Sequence, residues 1–223
     1  MYKLKRLLIF LLAFLGLAGF LLPMPAHAST VIPLGVWYST EYKVGRWLEM
    51  PTLYYYTYPA DSSGNPSVIP LSAGVNNARI EWSDALGVTI LTSSTNAESP
   101  FRCSAITVDR YNQLYPSKPV DSEQLGITKF TSTTEYGIYS CYEYSIRGYI
   151  HHRVDCYVFP QSNHGDIYYI KTITHEIGHG LGWYGHANHS TGLTWVMCQG
   201  KLANRYVRDL EAQHLRQVYE LGG

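Results

Sequence analysis

The stretch HEIGHGLG, His175 to Gly182, constrains the fold more than any other part of this chain. His175 and His179 lie four residues apart. On an α-helix that spacing puts two side chains on one face, one turn apart, where two imidazoles can meet one metal ion. The pattern therefore predicts a helix over "IYYIKTITHEIGHGLG", with Asp166 as its N-terminal cap and Gly182 as its end. Glycine suits that end because a helix commonly closes on a left-handed residue.

The chemistry follows from the residue types. Zinc binds imidazole nitrogen readily, and a catalytic site keeps one position open for water. Glu176 follows the first histidine directly, so it can stand beside that water as a base without being a ligand. This H-E-x-x-H pattern is the signature of a metalloprotease. A third ligand is then required, and both His186 and His189 follow on the chain. His186 leaves Trp183, Tyr184 and Gly185 to turn back under the metal, with Gly185 able to take a positive φ. His189 would leave six residues and a much wider loop.

The N-terminus reads as a targeting segment. Lys3, Lys5 and Arg6 precede an apolar run from Leu7 to about Leu22, and Ala26-His27-Ala28 fits a small-x-small cleavage site. The run is short for a membrane span. Residues 1–28 are therefore expected to be a signal peptide, and 29–223 a single secreted domain of 195 residues with no membrane span after cleavage. Cleavage removes three of 17 basic residues and none of 17 acidic ones, leaving a net charge of −3. That balance lacks the basic footprint of a nucleic-acid binder.

Along the chain, "RWLEMPTLYYYTY" (46–58) reads as a strand and "PLSAGVNNARIEWSDALG" (70–87) as a helix stopped by Gly87. "VTILTSS" (88–94), "SAITV", "LGITKFTSTT" and "GYIHHRVDCYVF" read as strands, with "EYGIYSCYEYS" as an edge strand or loop. A last helix carries Val207, Leu210, Leu215, Val218 and Leu221 on one face. The order predicts an α+β domain, with helices packed on a twisted, mixed sheet.

Four cysteines in an exported chain predict two disulfides. Cys141–Cys156 across neighbouring strands, leaving Cys103–Cys198, is the favoured pairing. His151 and His152 are neighbours on a presumed strand and should point to opposite faces. With Asp155 and His164 they offer a second, structural metal site; the simpler reading makes them surface residues. His214 reads as a surface or packing residue.

From Thr174 to Gly200 the chain resembles the metzincin zinc metallopeptidases, matrixin-like members in particular: H-E-x-x-H-x-x-G, a third histidine soon after, and "TWVMCQG" with Met197 as a methionine turn. "NNARIEWSDALG" and "RDLEAQHLRQVY" look like the first and last helices of such domains. The resemblance implies a metzincin-like catalytic domain, one zinc held by His175, His179 and His186, Glu176 as general base, and a structural role for Met197. There are departures. The family's usual third-ligand position falls on Gly185, so His186 comes one residue late. Gln199 stands where some relatives carry a tyrosine ligand. No cysteine-switch motif is present, and nothing in the sequence supports a calcium site. The expected activity is that of a secreted, monomeric zinc endopeptidase. Its peptide substrate would lie extended along an edge strand, for which the tyrosine-rich stretch 131–144 is the candidate. A zinc amidase of cell-wall peptides and a non-catalytic metal-binding protein are the alternatives.

Overall fold

A computed structural model describes residues 43–141, 144–162, 164–187, 195–198 and 206–219, the side chains of 137–146 excepted. The expected signal peptide and His189 lie outside the described residues.

Two long runs rich in Tyr, Thr, Ile and Val suit a half-buried pleated surface. They pair antiparallel as β4 (Gly126–Cys141) and β5 (Tyr144–Val158). The other side of β5 takes two short parallel strands. β1 (Lys43–Arg46) lies against Arg147–Ile150, and β3 (Phe101–Ala105) against Val154–Val158. β2 (Leu53–Thr57) pairs parallel with β3. The domain is α+β, with a five-stranded, mostly parallel sheet and β4 as its antiparallel edge.

Several strand expectations change: 46–58 is strand only at Arg46 and Leu53–Thr57, and "SAITV" only at Ser104 and Ala105, since Val108 opens a helix. Of the two readings of "EYGIYSCYEYS", edge strand holds for its first part, which continues the edge strand β4 to Cys141, while Tyr144 and Ser145 open β5. "VTILTSS" contributes only a bridge from Ser93 to Leu53. Leu91 sits at φ 47°, a left-handed value that an extended strand cannot contain.

Among the described residues four α-helices pack with the sheet: α1 (Leu71–Leu86), α2 (Val108–Leu114), α3 (Asp166–Leu181) and α4 (Asp209–Tyr219). α1 ends at Gly87, which is left-handed at φ 70°. Val75, Ala78 and Trp82 are buried, but Ile80 is exposed, being about 140° round the helix from Val75 at 3.6 residues per turn. α2 is too short to show a period in the sequence. Thr107 caps it by accepting the Arg110 amide at 3.2 Å. Gly165, not Asp166, is the cap of α3; Asp166 sits in the first turn, where its charge favours the helix dipole.

α1 and α3 pack closely beside the site. Trp82 Nε1 donates to the Thr174 carbonyl at 3.0 Å. A Cβ on Gly74 would lie 2.2 Å from Ile173 Cδ1, so only glycine allows this approach. α3 is buried nearly all round, with Tyr169, Ile173, Ile177 and Leu181 in the core. That is the pattern of a helix enclosed by its domain. Among the described residues no helix is long and apolar enough to cross a membrane.

The disulfide expectation is overturned. Cys103, Cys156 and Cys198 are buried free thiols. The β4–β5 register places Cys141 opposite Tyr144 and Cys156 opposite Thr128, which separates the two cysteines by twelve positions, about 40 Å along a strand. Sequence proximity suggested a pairing that the hairpin forbids. Unfolded protein is expected to yield at least three thiols per chain to an alkylating reagent, with little reaction before unfolding. Three alkyl groups missing from the denatured mass would contradict this.

Candidate functional site

The histidines are presented by the end of α3 and the turn beyond it. Gly182 adopts φ 128°, and its amide returns to the His179 carbonyl at 2.9 Å. A Cβ there would lie 1.7 Å from the Gly45 carbonyl oxygen, so β1 closes against the helix end only because position 182 is glycine. Gly185 then takes φ 81°, the value that lets a three-residue turn bring His186 back. The ring centroid of His186 lies 5.1 Å from those of both His175 and His179. One nitrogen from each of the three rings falls within 4.8 Å of the others.

Protonation follows from the partners. His175 Nδ1 donates to the Val196 carbonyl at 2.7 Å, and His179 Nδ1 to the Trp183 carbonyl at 2.6 Å. Carbonyls only accept, so each Nδ1 carries the hydrogen and each Nε2 is a bare acceptor. The two Nε2 atoms face each other at 3.0 Å. Two lone pairs so placed suit a cation between them, and tetrahedral zinc with ~2.05 Å bonds would separate them by about 3.3 Å. Burial holds both rings neutral: His179 is pushed down to about 3, and His175 lies well below its usual value, burial acting first and His179 next. The donor set therefore fits a zinc ion.

Glu176 projects from the same helix toward β4. Its Oε2 accepts from Thr128 Oγ1 at 2.7 Å. Burial raises its pKa to about 7, against the lowering effects of Thr128 and Lys171. A side chain on Gly126 would collide with the carboxylate at 2.7 Å, so β4 comes close to Glu176 only with glycine there. These groups line a cleft of about 400 Å³, bordered by Glu123–Thr128 and Phe130 on one side and the histidines on the other. Among the described residues the lining of this cleft stops at Phe130, just short of the candidate edge at 131–144. The chain enters β4 beside Glu176 at Gly126, and only its first residues overlook the cleft.

The chain matches no known family model, and no curated protein is significantly similar to it.

Met197 lies in a turn, next to the Val196 whose carbonyl meets His175. It is fully buried, and a Cβ on Gly178 would sit 2.6 Å from its sulfur. Glu211 of α4, which no motif in the sequence singles out, holds this turn. Its Oε1 accepts the Met197 amide at 2.6 Å and its Oε2 the Arg208 amide at 2.8 Å. Burial pushes this carboxyl up to about 7, while those amides pull it down. Lys171 was also missed. It is buried one helical turn before His175 and donates to the Cys198 carbonyl at 3.1 Å.

The suggested second metal site does not assemble. His151 is buried and His152 exposed, on opposite faces as the strand requires. His151 faces the Gly180 carbonyl and the Tyr184 hydroxyl, each at 3.3 Å. Asp155 is held by Arg102, and His164 faces the Ser162 carbonyl. His151 instead braces the turn that carries His186, because Tyr184 stacks on Phe130 at 4.4 Å between centroids. His214 is fully buried against Trp183, 4.5 Å between ring centroids, so of its two expected roles it takes packing.

Proposed function

We propose that this chain is a secreted zinc endopeptidase with a metzincin-like catalytic domain. One observation carries the reading: three convergent histidine nitrogens, with Glu176 beside them in a cleft bordered by an edge strand. The cleft's strand border favours a peptide lying extended, since backbone groups at a sheet edge can pair with another strand. The mixed sheet, the histidine helix and the C-terminal helix are the elements the resemblance implies.

His175, His179 and His186 would hold the ion. Zinc there supplies a Lewis acid that polarises the scissile carbonyl and acidifies water. Glu176 takes one proton from the attacking water as its oxygen bonds to the carbonyl carbon. The same carboxyl passes that proton to the departing amine as the C–N bond breaks. Thr128 fixes one carboxylate oxygen throughout, and a pKa near 7 suits both halves of this transfer. The Val196 and Trp183 carbonyls keep both imidazoles turned toward the ion, as such outer partners commonly do. Glu211 holds the Met197 turn in place.

The test is metal analysis of the purified chain beside a casein assay. About one zinc per chain is expected, with hydrolysis lost in a chelator and restored by zinc. Undiminished hydrolysis by metal-free protein would overturn the proposal.

A further inference from the structure

We propose that the site extends into a subsite for acidic residues of the substrate peptide, lying along β4 on the N-terminal side of the scissile bond. This rests on the peptidase reading and names its substrate class. A second hollow of about 500 Å³ adjoins the histidine cleft, and the two share Ile127, Thr128, Phe130 and Tyr184. Lys43, Lys118 and Lys129 line it with Tyr111 and Tyr149, and among the described residues no Asp or Glu does.

Aromatic rings hold Lys129, and among the described residues neither it nor Lys118 makes an ion pair with a carboxylate. Lys129 Nζ lies 3.1 Å from the Tyr115 ring centroid and 5.6 Å from that of Tyr111. Aromatic faces hold a cation without neutralising it. The carboxylate opposite Lys129 in the strand register is Asp155. It is engaged by Arg102 at 2.5 Å and by Thr131 Oγ1 at 2.8 Å. Burial and the nearby Lys118 charge both disfavour the Lys129 ammonium, outweighing Asp155. An anion entering between the two lysines would relieve that repulsion.

Position on the strand gives the direction. Ile127, Thr128 and Phe130 line both hollows, but Lys129 and Thr133, further along β4 than the Thr128 that contacts Glu176, line only the second. Antiparallel pairing is the more stable kind. A peptide paired so with β4 runs its N-terminal residues toward Thr133, and residues two to four positions before the scissile bond then face the lysines.

The test separates binding from hydrolysis. Labelled peptides carrying Glu or Ala at those positions are titrated into full-length Glu176→Gln protein and read by fluorescence anisotropy. The glutamate peptide should bind roughly fivefold tighter, about 1 kcal/mol, and the gain should fade in high salt. Lys118→Glu, at an exposed position, and Lys129→Glu should each remove the preference while the alanine peptide binds as before. A circular dichroism melt checks that each variant is folded; because Lys118 is exposed, its variant decides the matter if Lys129→Glu unfolds. Equal binding of the two peptides overturns the subsite, as does a preference that appears only for glutamates after the scissile bond. The peptidase reading fails separately, if wild-type protein binds the peptides yet leaves them uncut.

Discussion

Replacing Glu176 by glutamine is expected to abolish peptide hydrolysis while the protein still binds zinc. The substitution keeps the side chain's size and an oxygen that can accept from Thr128, whose hydroxyl lies 2.7 Å from Oε2. It removes the group able to take and return a proton, a role typically worth about 10²–10⁴ in rate. The loss should fall on kcat, because the peptide still meets the same cleft wall. Metal content must be measured on the same sample. A zinc-loaded Glu176→Gln protein with wild-type turnover would remove Glu176 from proton transfer. Thr128→Val offers a graded comparison: it leaves the carboxylate but withdraws the hydroxyl that meets both its Oε2 and the Glu176 carbonyl, so a smaller loss than in Glu176→Gln is expected.

His186→Ala is expected to weaken zinc binding severely, and His189→Ala to leave it near wild type. The turn through Trp183, Tyr184 and Gly185 brings His186 within 4.8 Å of the other two ligand atoms. Gly185 makes this possible at φ 81°. Removing an outer partner of a metal ligand commonly costs about 10–100-fold in affinity, so removing a ligand should exceed about 100-fold. Competition against a chromogenic chelator reads both variants directly. Zinc lost from His189→Ala and kept by His186→Ala would reverse the assignment of the third ligand, and would leave His175, Glu176 and His179 where they are.

Much of the site was legible because it is local. Two histidines four apart on a helix share a face whatever surrounds them, so His175 and His179 needed no tertiary information. Gly182 and Gly185 were readable for a similar reason, since positive φ is a property of the residue. Gly87 ended α1 as the sequence predicted. Where the sequence misled, the cause was long-range. The Cys141–Cys156 pairing looked sound at 15 residues' separation, but an antiparallel hairpin sends early and late residues to opposite ends of its ladder. The stretch 131–144 had the composition of an edge strand, yet composition does not say which end of that strand meets the cleft.

Sequence by itself determined the helix, its histidine face, the carboxylate beside it and the turn that returns His186, all set by backbone geometry within a dozen residues. Only the tertiary structure decided what stands around them. Thr128 reaches Glu176 across 48 positions, Glu211 reaches the Met197 amide from another helix, and His151 meets Tyr184 from a distant strand. No periodicity records such contacts. They arise because burying these polar groups is favourable only where each finds a partner, and the partners are fixed by how the whole chain packs.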